Sequence, residues 1–158
     1  MAAHRPLPLG YWEAMARNDI QVNASPERVF EVLSDPDSYG EWVVGSSEIR
    51  DAEGGWPSEG ATFHHTQGLP KIGIKDTTTV MESRSPEYLR LCVRARPVVI
   101  ADVRLQLIRS GRTTRVEMIE EPIGGYLGAV HNPVFDLGLR LRNAESLRRL
   151  KRLAETRS

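Results

Sequence analysis

The sequence predicts an α+β fold in which a curved, seven-stranded antiparallel sheet wraps one long C-terminal helix, with two short helices after the first strand. Three observations carry this. Seven runs of strand-like residues are separated mostly by short turn signals, which is the pattern of sequential antiparallel pairing. Two Pro-led segments directly after the first run read as short helices. The last quarter of the chain carries apolar residues every three or four positions, so it presents a stripe that needs a surface to cover it.

In order, residues 1–17 contain two prolines and no clear period, and are read as an N-terminal appendage to a single domain at 18–156. Asn18 to Asn23 alternates around Ile20 and Val22, as a half-buried strand does. Ser25-Pro26-Glu27 then supplies an N-cap hydroxyl, a proline where no N–H is missed, and an acid at the positive end of a helix carrying Val29, Phe30 and Leu33. Asp35-Pro36 restarts the chain as a second short helix with Tyr39 and Trp42. Strands follow over Ser46 to Ala52, Ala61 to Gln67, Ile72 to Ser83, Tyr88 to Arg96, Val99 to Arg109 and Arg112 to Glu121. In the fourth of these, Leu89, Leu91, Val93 and Ala95 share one phase while Arg90, Cys92, Arg94 and Arg96 share the other, so one face is dry and one wet. After a glycine-rich connector, Asn132-Pro133 opens a helix to about Glu155, with Leu137, Leu141, Ala144, Leu147, Leu150 and Ala154 as its stripe. The dry face of the sheet is the surface available to cover it.

Composition narrows the function classes. Lys+Arg 21 balance Asp+Glu 21, which argues against a dedicated nucleic-acid binder, since neutralising phosphates leaves a domain basic. No run approaches the ~20 apolar residues of a membrane span, and the N-terminus has no signal-like apolar core, so no integral membrane contact and a cytoplasmic location are expected. The single cysteine, Cys92, excludes an internal disulfide and suits a reducing compartment.

The element order, with the segments Val22-Asn-Ala-Ser-Pro-Glu-Arg-Val-Phe-Glu-Val-Leu-Ser-Asp-Pro36, Gly60-Ala-Thr-Phe63, Glu120-Glu-Pro122 with Gly125, and Arg142-Asn-Ala-Glu-Ser-Leu-Arg-Arg-Leu-Lys151, resembles the START-like or SRPBCC superfamily. This superfamily includes polyketide cyclase/dehydrase proteins. The resemblance covers nearly everything after residue 18. It implies the helix-grip fold and a pocket between sheet and helix, a pocket that such proteins put to lipid transfer, hormone sensing, cyclisation or chaperone activation.

Phase arguments give the candidate site. If Phe63 faces the pocket, the period of two places His65 and Gln67 beside it and turns His64 outward. His65 then reads either as a general base or orienting donor, or as a hydrogen-bonded structural histidine. Glu120 shares a phase with Val116 and Met118, so its carboxylate sits at the interior mouth while Glu117 and Glu121 face water. An interior acid needs a hydrogen-bond partner or a ligand to face. Val93, Ala95, Ala101, Val103, Leu105 and Met118 line the interior, Ala95 and Ala101 leave room, and Trp42, Leu137 and Leu141 complete the lining.

No metal site is expected, because adjacent His64 and His65 point to opposite faces of a strand and His131 has no paired ligand spacing. No cofactor motif is present in the sequence. Arg140, Arg142, Arg148, Arg149, Lys151 and Arg152 read as solvated flanks of the stripe, and no Lys or Arg falls on the inner phase of the last three strands. The leading expectation is a monomer or homodimer binding a small hydrophobic or aromatic metabolite. The alternatives are a polyketide cyclase/dehydratase-like enzyme using His65 and Glu120, and a protein-interaction module with a sealed core.

Overall fold

The computed structural model of the 158-residue chain describes residues 16–67, 74–95, 99–124 and 133–156. Their order is β1 (Ala16–Val22), α1 (Pro26–Leu33), α2 (Pro36–Trp42), β2 (Ser46–Glu53), β3 (Thr62–Gln67), β4 (Ile74–Arg84), β5 (Tyr88–Ala95), β6 (Val99–Ser110), β7 (Thr113–Gly124) and α3 (Pro133–Thr156). The two short helices start as the sequence requires. Ser25 accepts a hydrogen bond from the Arg28 N–H at 3.3 Å, Asp35 accepts one from Asp37 N–H at 3.0 Å, and each cap is followed by proline.

The sheet runs β1-β7-β6-β5-β4-β3-β2, antiparallel throughout. Strands β2 to β7 form a meander, and β1 adds to it beside β7. Because β1 and β2 are the two edges, the α1–α2 segment carries the chain from one side of the sheet to the other. Gly111, at φ 61, takes the left-handed first position of the tight β6–β7 turn, a conformation that favours glycine there.

The inner face of the sheet supplies Leu89, Leu91, Val103, Leu105, Leu107, Val116 and Met118, all buried. They pack with Val29, Phe30 and Leu33 of α1 and with Leu147, Leu150 and Ala154 of α3 in one core. The outer face is an ion ladder. Asp102 lies between Arg90 and Arg104, each at 2.7 Å, Arg104 reaches Glu121 at 3.0 Å, and Arg17 and Arg115 both reach Glu117 at 3.1 Å. Glu117 and Glu121 therefore lie on the outer face but do not meet open water: arginines cover them and leave them 8% and 7% exposed.

Helix α3 is pinned along both sides. Toward β1, the Asn18 amide donates to Arg140 O at 3.0 Å, Lys151 donates to Gln21 O at 2.7 Å, and Asn23 N–H donates to Glu155 at 2.8 Å. Toward the end of α2, Arg142 Nε donates to Val44 O and Ser146 Oγ accepts from Val44 N–H, both at 3.1 Å.

The buried face of α3 differs from the expected stripe. Leu137 and Leu141 are 58% and 63% exposed, whereas Asn143 and Ser146 are 0% and 1% exposed. At 3.6 residues per turn, Leu141 lies about 180° and Leu137 about 140° round the helix from buried Leu150, while Leu139 and Asn143 lie within about 20° of it. Each step of three residues turns the face by about 60°, so counting backward by threes from Leu150 walks off the buried side. No helix among the described residues is long and apolar enough to cross a membrane.

Candidate functional site

At its C-terminal half α3 seals against the sheet with Leu147, Leu150 and Ala154. Toward its N-terminal half the two separate, and a cavity of about 170 Å³ lies between them, lined by Val93, Ala95, Val99, Ala101, Glu120, Pro122, Phe135, Leu139 and Arg142. A smaller inner pocket of about 20 Å³ adjoins it, sharing Val93, Glu120 and Arg142 and extending to Tyr39, Trp42, Val43, Leu91, Val103, Met118, Asn143 and Ser146. That is room for one water-sized group. A larger hollow of about 390 Å³ between Pro26, Pro86 and Arg109 is a surface groove lined by none of these residues.

Alternation along β7 delivers Glu120 to this place, two positions beyond Met118 and directly opposite Val103 of β6. Its carboxylate is 9% exposed and is held from α3: the Asn143 amide donates at 2.8 Å, and Arg142 Nη1 lies 3.4 and 3.5 Å from its two oxygens. Arg142 is the cation that the strand phases lacked. It comes from the helix, lines both hollows and is only 30% exposed at its side chain, so it is a wall of the site and not a solvated flank. The neighbouring Arg148, Arg149 and Arg152 do lie on the solvent side, gathered on Glu145.

A second acid was not singled out in the sequence. Asp76 of β4 is 1% exposed, and neither of its oxygens has a hydrogen-bond partner among the described residues. Burial pushes its carboxyl up to about 7, against the pull of the Arg142 guanidinium. Tyr39 is likewise pushed up to about 12 by burial, with Arg142 opposing. In β4 the run Thr77-Thr78-Thr79 puts similar polar residues on both phases, which hides the inward set Asp76, Thr78 and Val80.

The remaining predicted residues divide. Trp42, Val93, Ala95, Ala101, Val103, Met118 and Glu120 are brought together around the two hollows. Phe63 is fully buried but sits in an aromatic cluster, 4.6 Å from Tyr39 and 4.4 Å from Trp56 between ring centroids, and Leu105 is core; neither lines the two hollows. Leu137 and Leu141 point away from the site, and Leu139 and Phe135 of α3 take their place. His65 and Gln67 lie in β3, where the backbone register sets His65 opposite Asp76 and Gln67 opposite Ile74; their side chains, and His131, fall outside the described residues. Among the described residues no group of three or more His, Cys, Asp or Glu side chains is arranged to hold a metal ion.

Two residues that line the inner pocket each carry a buried polar atom with no hydrogen-bond partner among the described residues: Trp42 at its indole Nε1 and Asn143 at Oδ1. The site therefore combines an apolar outer chamber, an acid–cation pair where the chambers meet, and unmatched hydrogen-bonding groups at the inner end.

Residues 14–155 match the family model described as polyketide cyclase / dehydrase and lipid transport. No curated protein matches the chain by sequence. Among solved structures, protein CV1439 from Chromobacterium violaceum is similar with a TM-score of 0.70 and 16% identity, over 91% of this chain and 99% of that one. Protein NE0264 from Nitrosomonas europaea is similar with a TM-score of 0.69 and 16% identity, over 89% and 94%. DynU16, described as a protein in the dynemicin biosynthetic locus, is similar with a TM-score of 0.65 and 16% identity, over 90% of this chain and 48% of that one. At these identities the structural likenesses establish the fold alone.

Proposed function

The chain belongs to the polyketide cyclase / dehydrase and lipid transport family, and from that premise we propose that it binds a small hydrophobic or aromatic molecule in the cavity between the sheet and the N-terminal half of α3. The observation that carries the reading is the chamber itself: aliphatic and small side chains from β5, β6 and α3 surround about 170 Å³, and Glu120 with Arg142 forms a single polar edge. An apolar enclosure with a few placed polar groups is the usual form of a small-molecule site. Its volume lies below the ~300–1,000 Å³ of drug-sized sites, which favours a compact one- or two-ring molecule over a long acyl chain. A sealed-core interaction module is disfavoured by the same chamber.

The test is native mass spectrometry of the freshly purified protein beside its denatured mass, followed by thermal shifts against compact aromatic, terpenoid and short acyl compounds. A retained small mass is expected, or a stabilisation growing with concentration and reaching about 2.7 kcal/mol at a hundredfold excess over Kd. A protein that carries nothing and is indifferent to the whole panel refutes the proposal.

A second reading, an enzyme of the cyclase or dehydratase kind, is favoured by Asp76. A buried carboxyl that titrates near neutrality is suited to giving and taking a proton. In this reading Asp76 and His65, backbone register partners on β4 and β3, move protons, and Glu120, fixed by Asn143 and Arg142, orients the substrate. Relatedness in fold to a protein from a biosynthetic locus supports trying poly-keto substrates. Asp76→Asn, His65→Ala and Glu120→Gln are each expected to lower turnover by ~10²-fold or more; full turnover in all three removes this reading and leaves binding intact.

A further inference from the structure

Trp42 is 2% exposed and Asn143 is 0% exposed, and both border the inner pocket of about 20 Å³. The Trp42 indole can only donate, and its Nε1 has no acceptor among the described residues. The Asn143 amide is oriented by its bond to Glu120: Nδ2 donates to the carboxylate at 2.8 Å, so Oδ1 is an acceptor, and no described residue donates to it. Of the other polar neighbours, Arg142 donates to Val44 O and reaches Glu120, Ser146 Oγ accepts the Val44 N–H, and Tyr39 is hydrogen-bonded to Thr78. Among the described residues, the buried side-chain atoms of this lining that lack any partner are thus one donor and one acceptor, beside a space fit for one oxygen-sized group.

Resting on the proposed ligand site, we infer that the inner pocket recognises a neutral hydroxyl group carried by the bound molecule, whose apolar body fills the outer chamber. A hydroxyl accepts from Trp42 Nε1 and donates to Asn143 Oδ1, matching both atoms at once. A methyl group matches neither and leaves both buried groups unpaired. A carboxylate satisfies the indole but brings a negative charge against Asn143 Oδ1 and Glu120. An ammonium donates to Asn143 and cannot accept from Trp42. Arg142 and Glu120 belong to the walls of both hollows, so the hydroxyl enters alongside their ion pair.

The experiment compares three molecules of one shape, 2-naphthol, 2-methylnaphthalene and 2-naphthoate, by titration calorimetry at pH 7 on the full chain and on Trp42→Phe. The expected result is 2-naphthol bound at least about tenfold tighter than either analogue, because a site with unpaired polar groups rejects the analogue lacking the hydroxyl. Trp42→Phe, which removes the N–H, is expected to abolish that preference. Equal affinity of the unaltered protein for 2-naphthol and 2-methylnaphthalene, with a water bridging Trp42 and Asn143 in both complexes, overturns the inference while the ligand site stands; this comparison does not depend on the variant folding. A preference for 2-naphthol that survives Trp42→Phe also overturns it. Failure of all three to bind, together with an indifferent compound panel, refutes the ligand site itself.

Discussion

Replacing Asp76 by Asn should change how the stability of this protein depends on pH. Asp76 is 1% exposed, and burial raises its carboxyl from the ordinary 3.8 to about 7. The charged group that bears on it is Arg142 from α3, itself paired to Glu120 of β7; the neutral phenol of Tyr39 from α2 lies within its influence, and His65 is its register neighbour on β3. Below pH 4 Asp76 is protonated in both the native and the unfolded chain and has no effect on stability. Between about pH 4 and 7 the unfolded chain has released the proton and the native state still holds it, so the native state binds more protons and stability falls as pH rises. At 1.36 kcal/mol per pH unit, the rise from 3.8 to about 7 corresponds to about 4 kcal/mol of stability lost above pH 7. About 3 kcal/mol of that falls between pH 5 and 8. Asn is neutral throughout, so Asp76→Asn should lack this decline, and any fixed cost of burying its amide cancels when two pH values are compared. Urea denaturation of both proteins at pH 5 and pH 8 reads the difference directly. Parallel pH profiles for the two would refute the reasoning, placing Asp76 either in contact with water or beside a donor that stabilises its charge.

The rotation of α3 makes a paired prediction. Leu150→Ala should cost about 2–5 kcal/mol in chemical denaturation, whereas Leu141→Ala, on a side chain 63% exposed, should stay within about 0.5 kcal/mol; similar losses from the two would mean that the helix face is wrongly assigned. Ala101→Phe places a ring in the outer chamber, and should remove the thermal shift given by any cavity ligand at a cost of about 1–3 kcal/mol in stability. A ligand that still shifts the melting temperature of Ala101→Phe binds elsewhere.

The order of elements was legible because each is written in local terms. Ser25-Pro26 and Asp35-Pro36 are caps whose partners lie two or three residues away, the strands announce themselves by alternation, and Gly111 marks its own turn. Glu120 was also legible, since a period of two from Val116 and Met118 places it inward whatever lies opposite. What lies opposite was not. Arg142, Asn143 and Ser146 sit on the buried face of α3 because Glu120 and Val44 meet them there, and a polar residue buried by a distant partner looks in sequence like a solvated one. The same partners set the rotation of the helix, which exposes Leu137 and Leu141 and turns Leu139 and Phe135 toward the chamber. Asp76 was hidden by threonines on both phases of its strand, and its raised affinity for a proton comes from packing that no local pattern encodes. Periodicity and caps act within a few residues, so the seven strands, the helices and one inward acid could be read from the chain's own order. Which groups face that acid, and how much space lies beside it, depend on hydrogen bonds between α3 and residues 23 to 132 positions away in the chain, and no local pattern carries those.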